Sequence, residues 1–433
     1  MTILQEAHPA GARRLGLMAH LAERLRTASL SGYTLTMYVA SRLLYLAIAA
    51  AAMLVVDTLG AHVGLARTFN WQGFPLTHST LGSEMSNWDG EWYLKTAATW
   101  YFHHVIRQPR AYTTLGFMPM YPMTIWLVAH VSAISDLLAA IAVSMIAGAV
   151  ATVLVGKLAR DWWGDEAARR AVRFWCLFPG TIVFSMVYSE ALTVSLIAAA
   201  MLLLARRRWL WAGVMAGFAT AVAPTDLAAV PMCAVATLVE WRRCGWNPRI
   251  RGRRLPARAS WRALLAPVLS VGGAVGFAIY LWIWTGSPFA DYTAQHIEWS
   301  ESTTPLAIPN VAIQLVRQMF VAGAAGHGPA GVDLNNVLAL LGTVFMLVAL
   351  KLLWDHRAHV PLTTWVWTVV VCLLAVTSAN TPPNPRILVD AFPLVLAVGA
   401  AFDGRAYRRA MRFNLLATVV LSPITYVGMW LRP

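Results

Sequence analysis

Long apolar runs separated by short, arginine-rich polar stretches set the pattern of this chain. A run of about 20 residues crosses a hydrocarbon core as a helix. Runs at 36–57, 137–158, 171–187, 190–205, 209–223, 227–241, 263–285, 335–354, 362–379, 387–403 and 413–431 read as crossings, about 11 in all. Cytoplasmic loops carry the excess of Lys and Arg, so basic residues orient the runs. Arg13, Arg14, Arg24 and Arg26 put the arm 1–35 in the cytoplasm. The eight arginines of 242–262 fall on the same side, with Arg206, Arg207, Arg208 and Arg405, Arg408, Arg409, Arg412. The loops 58–116 and 286–333 then face outward. A loop as long as 58–116 is expected to hold short interfacial helices. Segment 117–133 is apolar, but Pro119 and Pro122 break its start. The basic stretch Lys157 to Arg173 leaves room for only an odd number of crossings before it, so 117–133 reads as interfacial or re-entrant. The expected fold is all-α: one polytopic transmembrane helix bundle over 36–433. No heptad, low-complexity tract or inverted repeat is visible, which disfavours a secondary transporter.

Composition agrees with this pattern. The chain has 433 residues, 58% hydrophobic and 12% charged, where a soluble protein carries about 25% charged residues. Its net charge of +14 lies in short loops beside apolar runs, so it reflects positive-inside bias and not nucleic-acid binding. Cys176, Cys233, Cys244 and Cys372 are scattered, without metal-ligand or disulfide spacing. The N-terminus lacks the apolar core and cleavage site of a signal peptide.

Candidate chemistry centres on Met85–Tyr93. Asp89 and Glu91 stand there among Trp88, Trp92 and Tyr93. Aromatics at that density mark the membrane–water interface. A carboxylate held there can act on a group carried by a lipid; an interfacial helix with two solvated acids has the same local string. Residues two apart do not share a helix face, so one acid is expected to serve the site. Asp89 is favoured because Gly90 beside it lets a substrate approach the backbone. Glu190 and Asp226 sit in very short turns between apolar runs, where ionisable groups are functional candidates. Tyr188 reads as an aromatic-belt residue. Prolines around Asn380–Arg386 hold Arg386 at the outer interface, and a planar cationic fork suits a phosphate. Pairing with Asp390 on the same helix face is the alternative for that arginine.

Several motifs occur in a recognisable order: Trp88-Asp89-Gly90 with Tyr93, Phe117–Pro122, Phe178-Pro179 with Tyr188-Ser189-Glu190, and Pro385-Arg386 with Phe392-Pro393. In this order the chain, from about 36 to about 400, resembles the PIG-V-like mannosyltransferases, a branch of the GT-C superfamily of polytopic glycosyltransferases. Ser41-Arg42 and Gly164–Arg170 resemble bacterial members. The resemblance implies a polyprenyl-phosphate-linked mannose donor, a glycolipid or glycan acceptor, no metal or other cofactor, and Asp89 as the base. It departs at Ala223-Pro224-Thr225-Asp226, where the family has an Arg-Pro-Thr-Gly-like turn.

On that reading Asp89 takes the acceptor proton in an inverting transfer, with Glu91 auxiliary. Arg386, then Lys95 or Arg42, stabilises the departing phosphate. Trp88, Trp92, Tyr93 and Tyr121 line an aromatic groove for sugar and lipid, and Glu190 and Asp226 contact substrate. A flippase for lipid-linked sugars and a catalytically degenerate scaffold remain alternatives.

Topology is directly testable. Single cysteines near residue 80 are expected to react with an impermeant thiol reagent added from outside, and cysteines near residue 250 to stay protected. The reverse pattern would overturn the orientation and the location of the site.

Overall fold

A computed structural model describes residues 27–59, 81–243, 259–321, 331–427 and 431. The basic arm up to residue 26, part of the first long loop (60–80), most of the arginine-rich loop (244–258, with Cys244) and 322–330 lie outside the described residues. The described chain is helical, with one isolated antiparallel bridge between Thr303 and Ser378. In order the helices are α1 (Leu30–Leu59), α2 (Leu81–Met85), α3 (Asp89–Thr99), α4 (Met120–Ser132), α5 (Asp136–Cys176), α6 (Glu190–Ala205), α7 (Trp209–Ala219), α8 (Ala229–Arg243), α9 (Ala259–Arg262), α10 (Leu265–Ser270), α11 (Gly272–Thr285), α12 (Ala290–Ile297), α13 (Ala307–Phe320), α14 (Leu334–Asp355), α15 (Leu362–Thr377), α16 (Pro385–Asp390), α17 (Phe392–Ala401) and α18 (Gly404–Val427).

Four spans among the described residues are long and apolar enough to cross a membrane: Leu30–Val55, Asp136–Cys176, Leu265–Thr285 and Leu334–Asp355. A fifth is reached if the bent pair Pro179–Ser185 and Glu190–Ala205 is one span. The chain is thus a polytopic helical membrane protein. Several other expected crossings are shorter apolar helices, namely α7, α15 and α17. α4 has 13 residues, less than a crossing. The first long loop holds short helices, as its length suggests, in α2 and α3.

One expected helix is not a helix. The run 171–187 looks continuous in hydropathy, but α5, kinked at Gly164, ends at Cys176. The chain then makes the 3-10 segment Pro179–Ser185 and meets α6 at 103°. Pro179 supplies the break, because it cannot continue a helix hydrogen-bond ladder. The run 387–403 is likewise split, with α16 ending at Asp390 and Pro393 in the first turn of α17.

Two features seat this crosswise segment. Arg42, only 2% exposed, reaches it from α1. Its Nη1 donates to the Thr181 carbonyl at 2.5 Å and to Ser185 Oγ at 3.1 Å. Its Nη2 donates to the Cys176 carbonyl at 3.4 Å and Thr181 Oγ1 at 3.2 Å, and Nε reaches Ser41 Oγ at 3.3 Å. The rings of Tyr38 and Tyr45 flank the guanidinium at 5.1 and 4.5 Å. Arg42 therefore caps the last carbonyl of α5, Cys176, and ties it to the Thr181 carbonyl of the 3-10 segment, a frequent use of cations at helix C-termini. On the other side, Gly180 lies against the backbone of Pro385, and a Cβ there would overlap the Pro385 carbonyl. The segment thus carries α16 on its back.

Gly180→Ala is expected to force the two backbones apart, at the 1–3 kcal/mol typical of overpacking (an order-of-magnitude value). It should lower the thermal midpoint of the purified protein by several degrees. Gly276→Ala, where a Cβ meets nothing, should not lower it. Equal midpoints for the two variants would contradict the tight seating of Gly180.

Candidate active site

The site forms where four distant turns meet. Val187 N donates to the Met85 carbonyl at 2.8 Å, tying the strand-like approach to α6 against the end of α2. Tyr188 O–H donates to the Asn87 carbonyl at 3.1 Å. Trp88 follows with φ 63° and ψ −121°, a conformation that costs a non-glycine residue of order 1–3 kcal/mol and persists only where its surroundings hold it. Asp89 then opens α3. Gly90 faces Val187 so closely that a Cβ would meet its carbonyl at 3.2 Å. The expected reason for this glycine, room for substrate, is replaced by contact with the chain itself.

Arg386 enters from α16. The Asn384 side chain accepts from Ile387 N at 2.9 Å and Pro385 is the first helical residue, so this short helix starts in a fixed place. The guanidinium lies over the Tyr188 ring at 4.6 Å. Its Nε donates to Glu190 Oε1, and its Nη1 donates to Asp89 Oδ2 at 2.6 Å. Among the described residues Nη2 has no partner. Arg386 pairs with these two carboxylates, and the sequence-near acid Asp390 is not in the ion pair. Tyr188 is fully buried beneath the arginine, not an interfacial belt residue.

Around this triad stand further acids. Thr193 Oγ1 donates to Asp226 Oδ2 at 2.7 Å. Asp390 ends α16, one turn beyond Arg386. Glu190, Asp226 and Asp390 are all buried. Each keeps one carboxylate oxygen without a partner among the described residues: Glu190 Oε2, Asp226 Oδ1 and Asp390 Oδ1. Tyr93 lies alongside, its hydroxyl 2.8 Å from Ser189 Oγ, and its ring stands edge-on to Tyr121 at 4.9 Å. Tyr121 is buried deeper, hydrogen-bonded to Ser144 Oγ at 2.6 Å.

The remaining expected residues sit apart from the triad. Arg42 is held in its own cage under the 3-10 segment, its guanidinium nitrogens all engaged by protein oxygens. It is therefore removed from the expected phosphate contacts. Lys95 lies over the Trp92 ring at 4.5 Å. Trp92 packs on Phe117 and on Trp299 of the second long loop, 5.2 Å between the Trp centroids. These rings make a packed wall in place of an open groove: Trp92 is 3% exposed. Sequence reasoning missed Thr193 and Trp299. Thr193 stands three residues after Glu190 on α6, so helical spacing could have found it. Nothing in the sequence ties Trp299 to Trp92. Among the described residues no group of three or more His, Cys, Asp or Glu could hold a metal ion.

No protein-family model and no curated protein matches this chain. Solved structures do. ArnT from Cupriavidus metallidurans in the apo state is 15% identical with a TM-score of 0.44, over 84% of this chain and 63% of that one. The Archaeoglobus fulgidus oligosaccharyltransferase in the apo form is 14% identical with a TM-score of 0.38, over 89% and 56%. AglB of Archaeoglobus fulgidus, in complex with an inhibitory peptide and a dolichol-phosphate, is 14% identical with a TM-score of 0.36, over 90% and 56%. The chain spans between half and two thirds of the length of these proteins. Likeness at this level carries no functional argument, which rests on the geometry above.

Glu91, two residues from Asp89, makes no ion pair among the described residues, and burial pushes its carboxyl above the ordinary value. The folded state therefore penalises the ionised form, and stability is lost as pH rises through the raised folded value. Glu91→Gln removes that penalty. Its thermal midpoint should equal or exceed that of the parent at neutral pH, and the gap should close as the pH is taken down through the carboxylate range. A variant less stable at neutral pH would contradict this account.

Proposed function

We propose that this protein is a membrane glycosyltransferase that moves a sugar, most simply mannose, from a polyprenyl-phosphate donor to a glycolipid or glycan acceptor on the outer face. The observation that carries the reading is Arg386: a largely shielded guanidinium, 15% exposed, with an Nη2 that has no partner among the described residues, next to a carboxylate that is 32% exposed. That pairing offers a cation for a phosphate and a base for a hydroxyl within one guanidinium's reach. The ordered motifs resembling PIG-V-like mannosyltransferases support the same reading, with Asp89 at the family's base position.

In the transfer, the acceptor hydroxyl oxygen forms its bond to the anomeric carbon as its proton passes to Asp89. The bond from that carbon to the phosphate oxygen breaks, and its electron pair leaves with the lipid phosphate. Attack opposite the leaving group inverts the carbon. Arg386 stabilises the charge on the departing phosphate through a charge-assisted, planar fork. The leaving group already carries its negative charge, so the chemistry does not require a metal. Glu190 holds Arg386 from the side opposite Asp89, and Asp226 is tied to Thr193 on the same helix as Glu190.

Asp89→Asn keeps the shape of the side chain and removes its basicity. It should fold normally and lose roughly 100- to 10,000-fold in turnover, while Glu91→Gln should lose much less. Arg386→Lys should also impair transfer, because a point charge does not replace the bidentate fork. The measurement is sugar transfer from a polyprenyl-phosphate-mannose donor by purified protein, with and without EDTA. Full activity in Asp89→Asn would sink the base assignment, and loss of parental activity in EDTA would sink the metal-free mechanism.

A further inference from the structure

The two arms of the Arg386 clamp are unequal. The inner arm, Nε to Glu190 Oε1, ends on a carboxylate only 5% exposed. The outer arm, Nη1 to Asp89 Oδ2, ends on one that is 32% exposed. Everything behind the inner arm is fixed: the Tyr188 ring under the guanidinium, Pro385 against Gly180, and Asn384 capping the helix. The accessible edge of the fork is therefore the pair Nη1 and Nη2. Nη2 is open among the described residues, but Nη1 is occupied by Asp89.

A phosphate prefers two parallel bonds from one guanidinium. Nη1 has a second hydrogen, but a phosphate that takes Nη1 and Nη2 together sets its charge beside the Asp89 carboxylate on the same nitrogen, and the two anions repel there. From this we infer that Glu190 is a positioning residue that keeps Arg386 in place, and that the donor's phosphate substitutes for Asp89 on the outer arm, so that the base is released only once the donor is bound.

The physics favours this exchange in one direction. Asp89 Oδ2 is held on Nη1, so an acceptor hydroxyl must compete with the guanidinium for that oxygen. A phosphate that takes Nη1 frees that oxygen for the hydroxyl. Without Glu190 the guanidinium would follow Asp89, and the exchange would fail. The device also keeps an active carboxylate masked at the membrane surface when no donor is present. It rests on the functional reading above and adds to it the order of events.

The test uses the full-length protein in lipid nanodiscs and a sugar-free, short-chain polyprenyl monophosphate, which binds without transfer. Carbodiimide coupling of glycine ethyl ester to carboxyl groups is read by mass spectrometry at Asp89, with exposed Glu166 as the internal reference. Asp89 coupling should rise severalfold as the lipid phosphate saturates, and the matching prenyl alcohol should leave it unchanged. In Arg386→Gln the coupling should be high from the start and insensitive to the lipid phosphate. Glu190→Gln keeps an acceptor for Nε and should retain most of the ligand-dependent rise, while Glu190→Ala should lose it. That rescue by the conservative variant separates positioning from a merely structural role. Saturable binding with flat Asp89 coupling, or a normal rise in Glu190→Ala, would overturn this inference and leave the glycosyltransferase reading standing. No saturable binding of the lipid phosphate would overturn both.

Discussion

A guanidinium does not give up its proton, so burying one obliges the fold to surround it with acceptors. Arg386 is the place where that obligation organises the chain. Its partners are Asp89 and Glu190, 297 and 196 residues away in sequence. Bringing them together requires the broken run after α5, the crosswise 3-10 segment, the short helix α16 and the strained residue before α3. Removing the arginine would leave buried Glu190 uncompensated, a loss on the order of 3–5 kcal/mol for a buried pair, whereas Asp89, 32% exposed, is replaced at a smaller cost.

Buried Arg42 and the partly exposed Arg386 divide the work by the kind of oxygen that meets them. Arg42 is met by backbone carbonyls and hydroxyls, with tyrosine rings on its faces. All three of its nitrogens are engaged, and its role is to hold the end of α5 and the segment beyond it. Arg386 is met by two carboxylates and has a nitrogen to spare. A cation balanced by side-chain carboxylates, one of them 32% exposed, can exchange that one for an anionic ligand; a cation caged by backbone cannot, because the carbonyls would be left unsatisfied. The cage of Arg42 in turn supports the segment that packs behind Arg386, so the structural arginine underlies the functional one.

The surplus of acid at the site follows from the same geometry. One cation faces Asp89 and Glu190 directly and lies near buried Asp390. Asp226 is held by Thr193, in the turn where the resemblance to PIG-V-like mannosyltransferases fails. A glycine there would leave Thr193 without this acceptor. The departure therefore introduces a buried carboxylate beside Glu190 and is not a neutral loop change.

The sequence by itself determined the class of fold. Apolar runs and their arginine-rich boundaries are local properties, and a helix is the one element whose backbone bonds close within its own segment, so a membrane bundle is legible without tertiary information. It also singled out Asp89, Glu190 and Arg386 individually, because a charge beside an apolar run or a proline turn stands out locally. What only the tertiary structure decided was who meets whom. Arg386 ignores Asp390 four residues away for two acids far along the chain; Gly90 makes room for Val187 and not for a ligand; Arg42 turns out to be a cap. The break at Pro179 was hidden because hydropathy does not distinguish a helix from a bent apolar segment. Each of these outcomes depends on which segments pack against each other, and a buried charge takes the partners that packing brings within hydrogen-bond distance, whatever their separation along the chain.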